Sequence, residues 1–210
     1  MNVIAWAKRY RRGIMRISPR FWLPLARTLL ARSMQTAAKP LPTAGSVQRV
    51  VFVCHGNIMR SAFAHAVWHE VIQSSPPAND HAVALSAGTD ARAGRAAHPL
   101  ASTAADKLGV SLKQHLATPL KDTALCRGDL LVGFDCENEV QLRALASPAN
   151  GVQVLMLGDL THPGTMEAEI RDPWGTSEAQ TVKTFERIRS LLWALDAQLR
   201  PTPAYDSVDR

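Results

Sequence analysis

The sequence predicts an α/β protein: an open, four-stranded parallel sheet flanked by helices. Three observations carry this expectation. Four short apolar runs, RVVFVC (49–54), HAVALSAG (81–88), GDLLVGFD (128–135) and GVQVLMLGD (151–159), show little polar alternation, the mark of strands covered on both faces. Helical segments at about 60–75, 97–109, 137–146 and 177–199 alternate with them, which implies right-handed crossovers. Each run closes on a polar or glycine-containing stretch, and in such sheets ligands bind beyond the carboxyl ends of the strands.

Taken in order, the first segment is residues 1–45, a basic N-terminal extension expected to be amphipathic or disordered. It holds nine Lys or Arg and no Asp or Glu, whereas residues 46–210 hold 15 basic and 18 acidic residues. The net charge of +6 thus arises in the tail, and no basic groove for nucleic acid is expected on the body. In VIAWAKRYRRGIMRI, Val3, Trp6, Tyr10, Ile14 and Ile17 recur at helical spacing, with Lys8, Arg9, Arg11, Arg12 and Arg16 mostly opposite. Ser18-Pro19 breaks the segment, FWLPLARTLLAR follows as a second apolar-basic stretch, and TAAKPLPTAGS reads as a linker. Residues 1–33 fit peripheral contact with an anionic membrane. A packing extension, a targeting peptide, or a true start at Met34 fit the same pattern. A chain begun near residue 46 is expected to keep full activity.

The body is expected over 46–200, followed by a tail, 201–210. No apolar run reaches the roughly 18–20 residues of a membrane span. Three cysteines are too few for a disulfide scaffold, which fits a reducing, cytoplasmic setting.

The first strand ends in VVFVCHGNIMRS (50–61), where the chemistry concentrates. Cys54 closes the strand and a helix begins at about residue 60. A phosphate ester needs a nucleophile, a mould for its oxygens and a donor to the leaving group. A helix N-terminus favours negative charge, so a thiolate and a phosphate dianion would share one positive environment there. His55, Gly56, Asn57, Ile58 and Met59 could wrap backbone N–H groups around phosphate oxygens. Gly56 and Asn57 are the residue types that best tolerate the left-handed backbone of such a curl. Arg60 can bind two oxygens through its planar fork, and the Ser61 hydroxyl can donate to sulfur.

On these residues the chain resembles the low-molecular-weight protein-tyrosine phosphatases. The likeness rests on Cys54-His-Gly-Asn-Ile-Met-Arg60-Ser61, on Ser86-Ala-Gly-Thr89 and on Asp172-Pro173, and spans about residues 48–200. The resemblance implies that family's type of open four-stranded sheet, no cofactor and no metal. It implies that Cys54 attacks phosphorus and becomes a phosphocysteine. Arg60 and the loop would hold the equatorial oxygens, and Asp172 would act first as acid and then as base. It assigns His115 and Asp135 to support of the loop, and Trp174 to a wall of the phosphotyrosine slot. The substrate it implies is a phosphotyrosine protein; bacterial relatives often act on tyrosine kinases that control exopolysaccharide export.

The departures from the pattern are specific. Met59 stands where many members carry a second cysteine, His55 follows the nucleophile, and Ala62 replaces a proline. His55 and Arg92 are both expected near the substrate, each with the alternative of an ordinary rim charge. Two other functions remain open. Arsenate reductases share the fold and relay electrons through cysteines near the third strand, where Cys126 and Cys136 lie; a non-catalytic phosphate-binding module would need neither Cys54 nor Asp172. His65 and His69, four apart on one helix, invite a metal reading but lack a recognisable third ligand.

Overall fold

In a computed structural model of the chain, residues 19–34, 40–43, 45–72 and 81–200 are described. Four strands form one sheet: β1 (Arg49–Cys54), β2 (Val83–Gly88), β3 (Asp129–Gly133) and β4 (Gln153–Met156). Their order is β2-β1-β3-β4 and every pairing is parallel. From β1 the chain crosses to β2 on one side and then returns to β3 on the other. That reversal puts a crevice at the carboxyl end of β1, where Cys54 lies.

The helices are α1 (Pro19–Ser33), α2 (Arg60–Val67, continued by a π-turn over Trp68–Ile72), α3 (Pro99–Asp106), α4 (Cys136–Leu145) and α5 (Glu178–Leu199). Successive side chains of β1 enter opposite cores. Val50 and Phe52 join Phe63, Trp68 and Phe185 on one face, while Val51 and Val53 join Leu131 and Leu142 on the other. Phe63 of α2 stacks on Phe185 of α5 with ring centroids 4.1 Å apart, fixing the helix that follows the loop. β1 is therefore anchored from both sides, which holds the backbone at Cys54 in place.

The elements match the expected alternation, with shorter bounds. The run 151–159 yields only a four-residue strand, then turns into a 3-10 segment, Leu157–Leu160. Two contacts account for the turn. Gly158 runs so close to residue 168 that an added Cβ would stand 1.9 Å from the Ala168 carbonyl oxygen, and Asp159 turns inward to an arginine.

That arginine is Arg32, and it changes the reading of the N-terminal segment. The sequence sets residues 1–45 apart from the body; the structure seats α1 upon it. Pro19 takes the first helical position, where a missing N–H is harmless. Leu25 and Leu29 pack against Cys136 of α4. Arg32 is 2% exposed and donates from Nε to Glu139 at 2.7 Å, from Nη1 and Nη2 to Asp159 at 2.8 and 3.0 Å, and from Nη1 to the Thr165 carbonyl at 3.0 Å. The FWLPLARTLLAR stretch thus carries a buried charge that belongs to the body's own acids. The expected helix over residues 3–17, residues 36–39 and 44 of the linker, and the tail 201–210 lie outside the described residues.

Candidate active site

The loop between β1 and α2 is curled by bonds that pull its carbonyls outward. The Cys54 carbonyl accepts from Thr89 N at 3.0 Å, that of His55 from Asp90 N at 2.9 Å, and that of Ile58 from His98 N at 2.9 Å. The Asn57 carbonyl lies 2.6 Å from His115 Nε2; a carbonyl only accepts, so that nitrogen donates. In a trans peptide the next N–H points opposite to the carbonyl. The amides of His55, Gly56, Ile58 and Met59 are thereby turned into the curl, and the first amide of α2 joins them.

Asn57 makes the bend, with φ at 51°, the only non-glycine residue with a positive φ among the described residues. Its side chain is also fixed. Oδ1 accepts from Thr118 N at 2.8 Å, which leaves Nδ2 to donate to Ser61 Oγ at 2.8 Å. With a lone pair of Ser61 so occupied, its hydroxyl hydrogen is free for the Cys54 sulfur, 3.0 Å away. The chain Thr118–Asn57–Ser61–Cys54 therefore aims a donor at the Cys54 sulfur.

Arg60, 1% exposed, crosses the floor of the loop. Its Nη1 donates to Asp135 Oδ2 at 2.6 Å and to the Ile170 carbonyl at 2.9 Å, and its Nη2 donates to Asp172 Oδ2 at 2.9 Å. Burial lowers the guanidinium's basicity, but Asp172, Asp135 and Cys54 outweigh it, so its pKa stands above the ordinary value. Asp135 also caps α4 by accepting from Asn138 N at 2.8 Å, so the helix fixes the carboxylate that fixes Arg60. Asp172 is held at its other oxygen by Trp174 N at 3.0 Å, yet its side chain is 39% exposed. Arg60 Nε is buried without a hydrogen-bond partner. A buried charged donor left open is costly unless a ligand completes it.

Residues 49–203 match the model of the low molecular weight phosphotyrosine protein phosphatase family. The chain belongs to this family. It is accordingly an enzyme, a phosphoric monoester hydrolase of the protein-tyrosine-phosphatase type. It is 29% identical over 113 residues to low molecular weight phosphotyrosine protein phosphatase 1 of Drosophila melanogaster, covering 54% of this chain and 72% of that protein. It is 28% identical over 128 residues to a probable low molecular weight protein-tyrosine-phosphatase, EpsP, of Ralstonia nicotianae, covering 61% and 79%. The crystal structure of the Erwinia amylovora tyrosine phosphatase AmsI superposes with a TM-score of 0.58 at 23% identity, covering 76% of this chain and 99% of that one.

Within this phosphatase frame the remaining expected residues fall into two groups. Cys54, the loop through Ser61, His115, Asp135 and Asp172 come together. His55 stands half-exposed on the rim, with Nε2 at 3.5 Å from Asp90 and Nδ1 at 3.9 Å from Glu137. Trp174 is exposed just beyond Asp172. Arg92 is exposed, and among the described residues its side chain has no hydrogen bond or ion pair with the loop. Cys126 is exposed, whereas Cys136 is buried with Leu25 and Leu29, where burial and then Glu169 push its thiol pKa far up. The rings of His65 and His69 stand 6.4 Å apart, and no group of three metal-ligating side chains occurs among the described residues.

Four contributors had no role assigned from the sequence, although Gly88 lies within the Ser86–Thr89 motif. Gly88 pairs with Cys54 across the sheet, and a Cβ there would meet the His55 carbonyl at 2.6 Å and Asn57 N at 2.8 Å. Only glycine lets β2 approach the loop so closely, which is the physical content of Ser86-Ala-Gly-Thr89. Thr118 acts through its backbone N–H, which no sequence pattern marks. Asp90 had no assignment. Glu137, the second residue of α4, lies 3.9 Å from His55 Nδ1; burial, then Asp135 and Asp172, raise its carboxyl pKa, against His55 and Arg60.

Proposed function

We propose that the chain hydrolyses phosphotyrosine in proteins through a phosphocysteine formed on Cys54. The reading is carried by one observation: the buried guanidinium of Arg60, six residues after Cys54, anchored on Asp135, reaching Asp172, and with a buried Nε that has no hydrogen-bond partner. A phosphate dianion seated on the inward amides would take that open donor and compete with Asp172 for Nη2. Asp172, released toward the mouth, is then free to serve the leaving group.

In the first step the Cys54 thiolate attacks phosphorus. The S–P bond forms as the bond to the phenolic oxygen breaks, and Asp172 hands its proton to that oxygen. The loop amides and Arg60 carry the charge on the three equatorial oxygens. In the second step the Asp172 carboxylate takes a proton from water, the new oxygen bonds to phosphorus, and the S–P bond breaks. The Ser61 hydroxyl, oriented by Asn57, stabilises the departing thiolate. Trp174 and His55 flank the slot for the phenol ring. His115 keeps the loop curled through the Asn57 carbonyl.

The family likeness supports a tyrosine kinase of exopolysaccharide export as the protein substrate, with the enzyme in the cytoplasm at the membrane's edge. Among the described residues no helix is long and apolar enough to cross a membrane. The arsenate-reductase reading is weakened at Cys136, which is buried against Leu25 and Leu29 with a raised pKa and is thus a poor nucleophile, while Cys126 is exposed.

The test is mass spectrometry of enzyme quenched within one turnover of an aryl phosphate. A phosphorylated Cys54 in the wild type, and no turnover by Cys54→Ser, are expected. Continued hydrolysis by Cys54→Ser would overturn the mechanism. For the substrate, release of phosphate from the phosphorylated tail of the kinase is expected, and its absence in a phosphotyrosine peptide panel that is otherwise cleaved would retire that partner.

A further inference from the structure

We infer that the outward face of α1, formed by Leu23, Arg27, Leu30 and Met34, is a docking surface for an anionic lipid bilayer. This deepens the membrane-edge part of the function proposed above and is independent of its phosphotyrosine chemistry.

The helix has two apolar faces. At 100° per residue, Leu25, Leu29 and Arg32 lie on one side, and all three are buried in the body. Leu23, Arg27, Leu30 and Met34 follow at intervals of four, three and four, so they share a single stripe on the opposite side. Leu23 is 59% exposed, Leu30 58% and Met34 64%. Three of the nine exposed large apolar side chains among the described residues therefore stand on one ridge. Scattered exposed leucines need no explanation, but a ridge of them does.

Charge selects the occupant. The first 45 residues carry nine cations and no anion, and the structure uses one of them, Arg32, internally. A convex ridge of large apolar side chains in a segment of cations alone matches what an anionic bilayer surface binds. A protein groove would demand a register of contacts; a lipid surface demands only apolar depth and positive charge.

The inner face gives the contact a consequence. Arg32 ties α1 to Glu139 of α4 and to Asp159, and Leu25 and Leu29 rest on Cys136. The next residue back, Asp135, holds Arg60. One packing layer separates the proposed lipid ridge from the catalytic arginine's anchor. A bilayer bound to α1 would hold the whole body in a fixed attitude instead of tethering it by a loose tail.

The experiment uses the full-length chain with vesicles of phosphatidylcholine alone or with phosphatidylglycerol added. Binding to the anionic vesicles only, weakening as salt is raised, is expected. The double variant Leu23→Asp/Leu30→Asp should reduce the vesicle-bound partition roughly tenfold or more, and Leu30→Trp should increase it. Hydrolysis of para-nitrophenyl phosphate in solution should be equal in all three proteins, which certifies their folding. Three outcomes would overturn the proposal: no binding by the wild type, undiminished binding by the double variant, or a concentration-dependent dimer that the double variant abolishes, which would assign the ridge to a second copy. Each leaves the phosphatase reading intact, because that reading is scored on phosphorylated Cys54 and on turnover in solution, without vesicles.

Discussion

Arg32 and Arg60 are both almost wholly buried, and each lies between two carboxylates. Yet one holds the fold together and the other faces chemistry. Arg32 has each of its three nitrogens engaged, and its partners Glu139 and Asp159 are themselves buried, at 3% and 7% exposure. Arg60 has two fixed partners, Asp135 and the Ile170 carbonyl, one at the surface, Asp172, and a buried Nε with none. The difference separates a structural guanidinium from the phosphate-binding one proposed above. The first is saturated by acids that cannot leave; the second keeps a donor open and pairs with an acid that can move away. Buried charge alone does not mark an active site.

The sharpest way to break this comparison is to remove Arg32. Arg32→Met leaves Asp159 buried without a cation, held only by the Gly164 N–H, and leaves Glu139 with Arg143 alone; a broken buried pair costs about 3–5 kcal/mol. Urea unfolding should show that loss, while turnover per folded molecule stays close to wild type. Replacing all three residues by neutral ones of similar size should recover much of the stability. If Arg32→Met is as stable as wild type, α1 is not part of the core. A chain begun at residue 46 lacks Leu25, Leu29 and Arg32 together, and it should unfold at lower urea instead of behaving as the wild type.

Arg60→Lys is the converse. It keeps the charge but loses the fork, and kcat on aryl phosphates should fall by about 10²–10³-fold. Its unfolding midpoint should move less than that of Arg32→Met; the reverse ranking would erase the distinction. Asp172→Asn should lower kcat by about 10²-fold through loss of the proton donor, with inhibition by inorganic phosphate changed little. Tight phosphate binding lost along with turnover would make Asp172 a binding residue.

The smallest effect concerns pH. Burial lowers the pKa of His115, and burial followed by His115 and His69 lowers that of His65. The unfolded chain then takes up protons near the ordinary value of about 6.5 while the folded chain does not. Their contribution to stability is therefore whole above that pH and is lost as pH falls below it. His65→Gln should flatten the acid side of a stability–pH curve without shifting its neutral value much; an unchanged slope would remove these histidines from the account.

Much of the site was legible because its parts are local. A β-branched run ending in Cys54, Gly-Asn in the bend and Arg60 at a helix start are read from twelve consecutive residues. Asp172 and His115 were placed by family likeness, since nothing near them in sequence points to the loop. What stayed hidden acts across long separations or through the backbone. Arg32 meets Glu139 and Asp159 from 107 and 127 positions away, so FWLPLARTLLAR read as a surface stretch with one more cation. Gly88 works by what it lacks, and Thr118 by a main-chain N–H. The fold class needed only alternation of runs, which survives errors of several residues at every boundary.

Met59, buried in the same apolar cluster as Cys54, bears on how the mechanism proposed above would meet peroxide. A cysteine at that position would trap an oxidised Cys54 as a disulfide that thiols readily reopen. A thioether cannot form that bond, and Cys136 is packed away under α1. Sulfenic acid formed on Cys54 must wait for an outside thiol or proceed to the sulfinic form, which lacks a general repair. A burst of oxidant would thus switch the enzyme off for longer than the burst lasts, and recovery would track new synthesis.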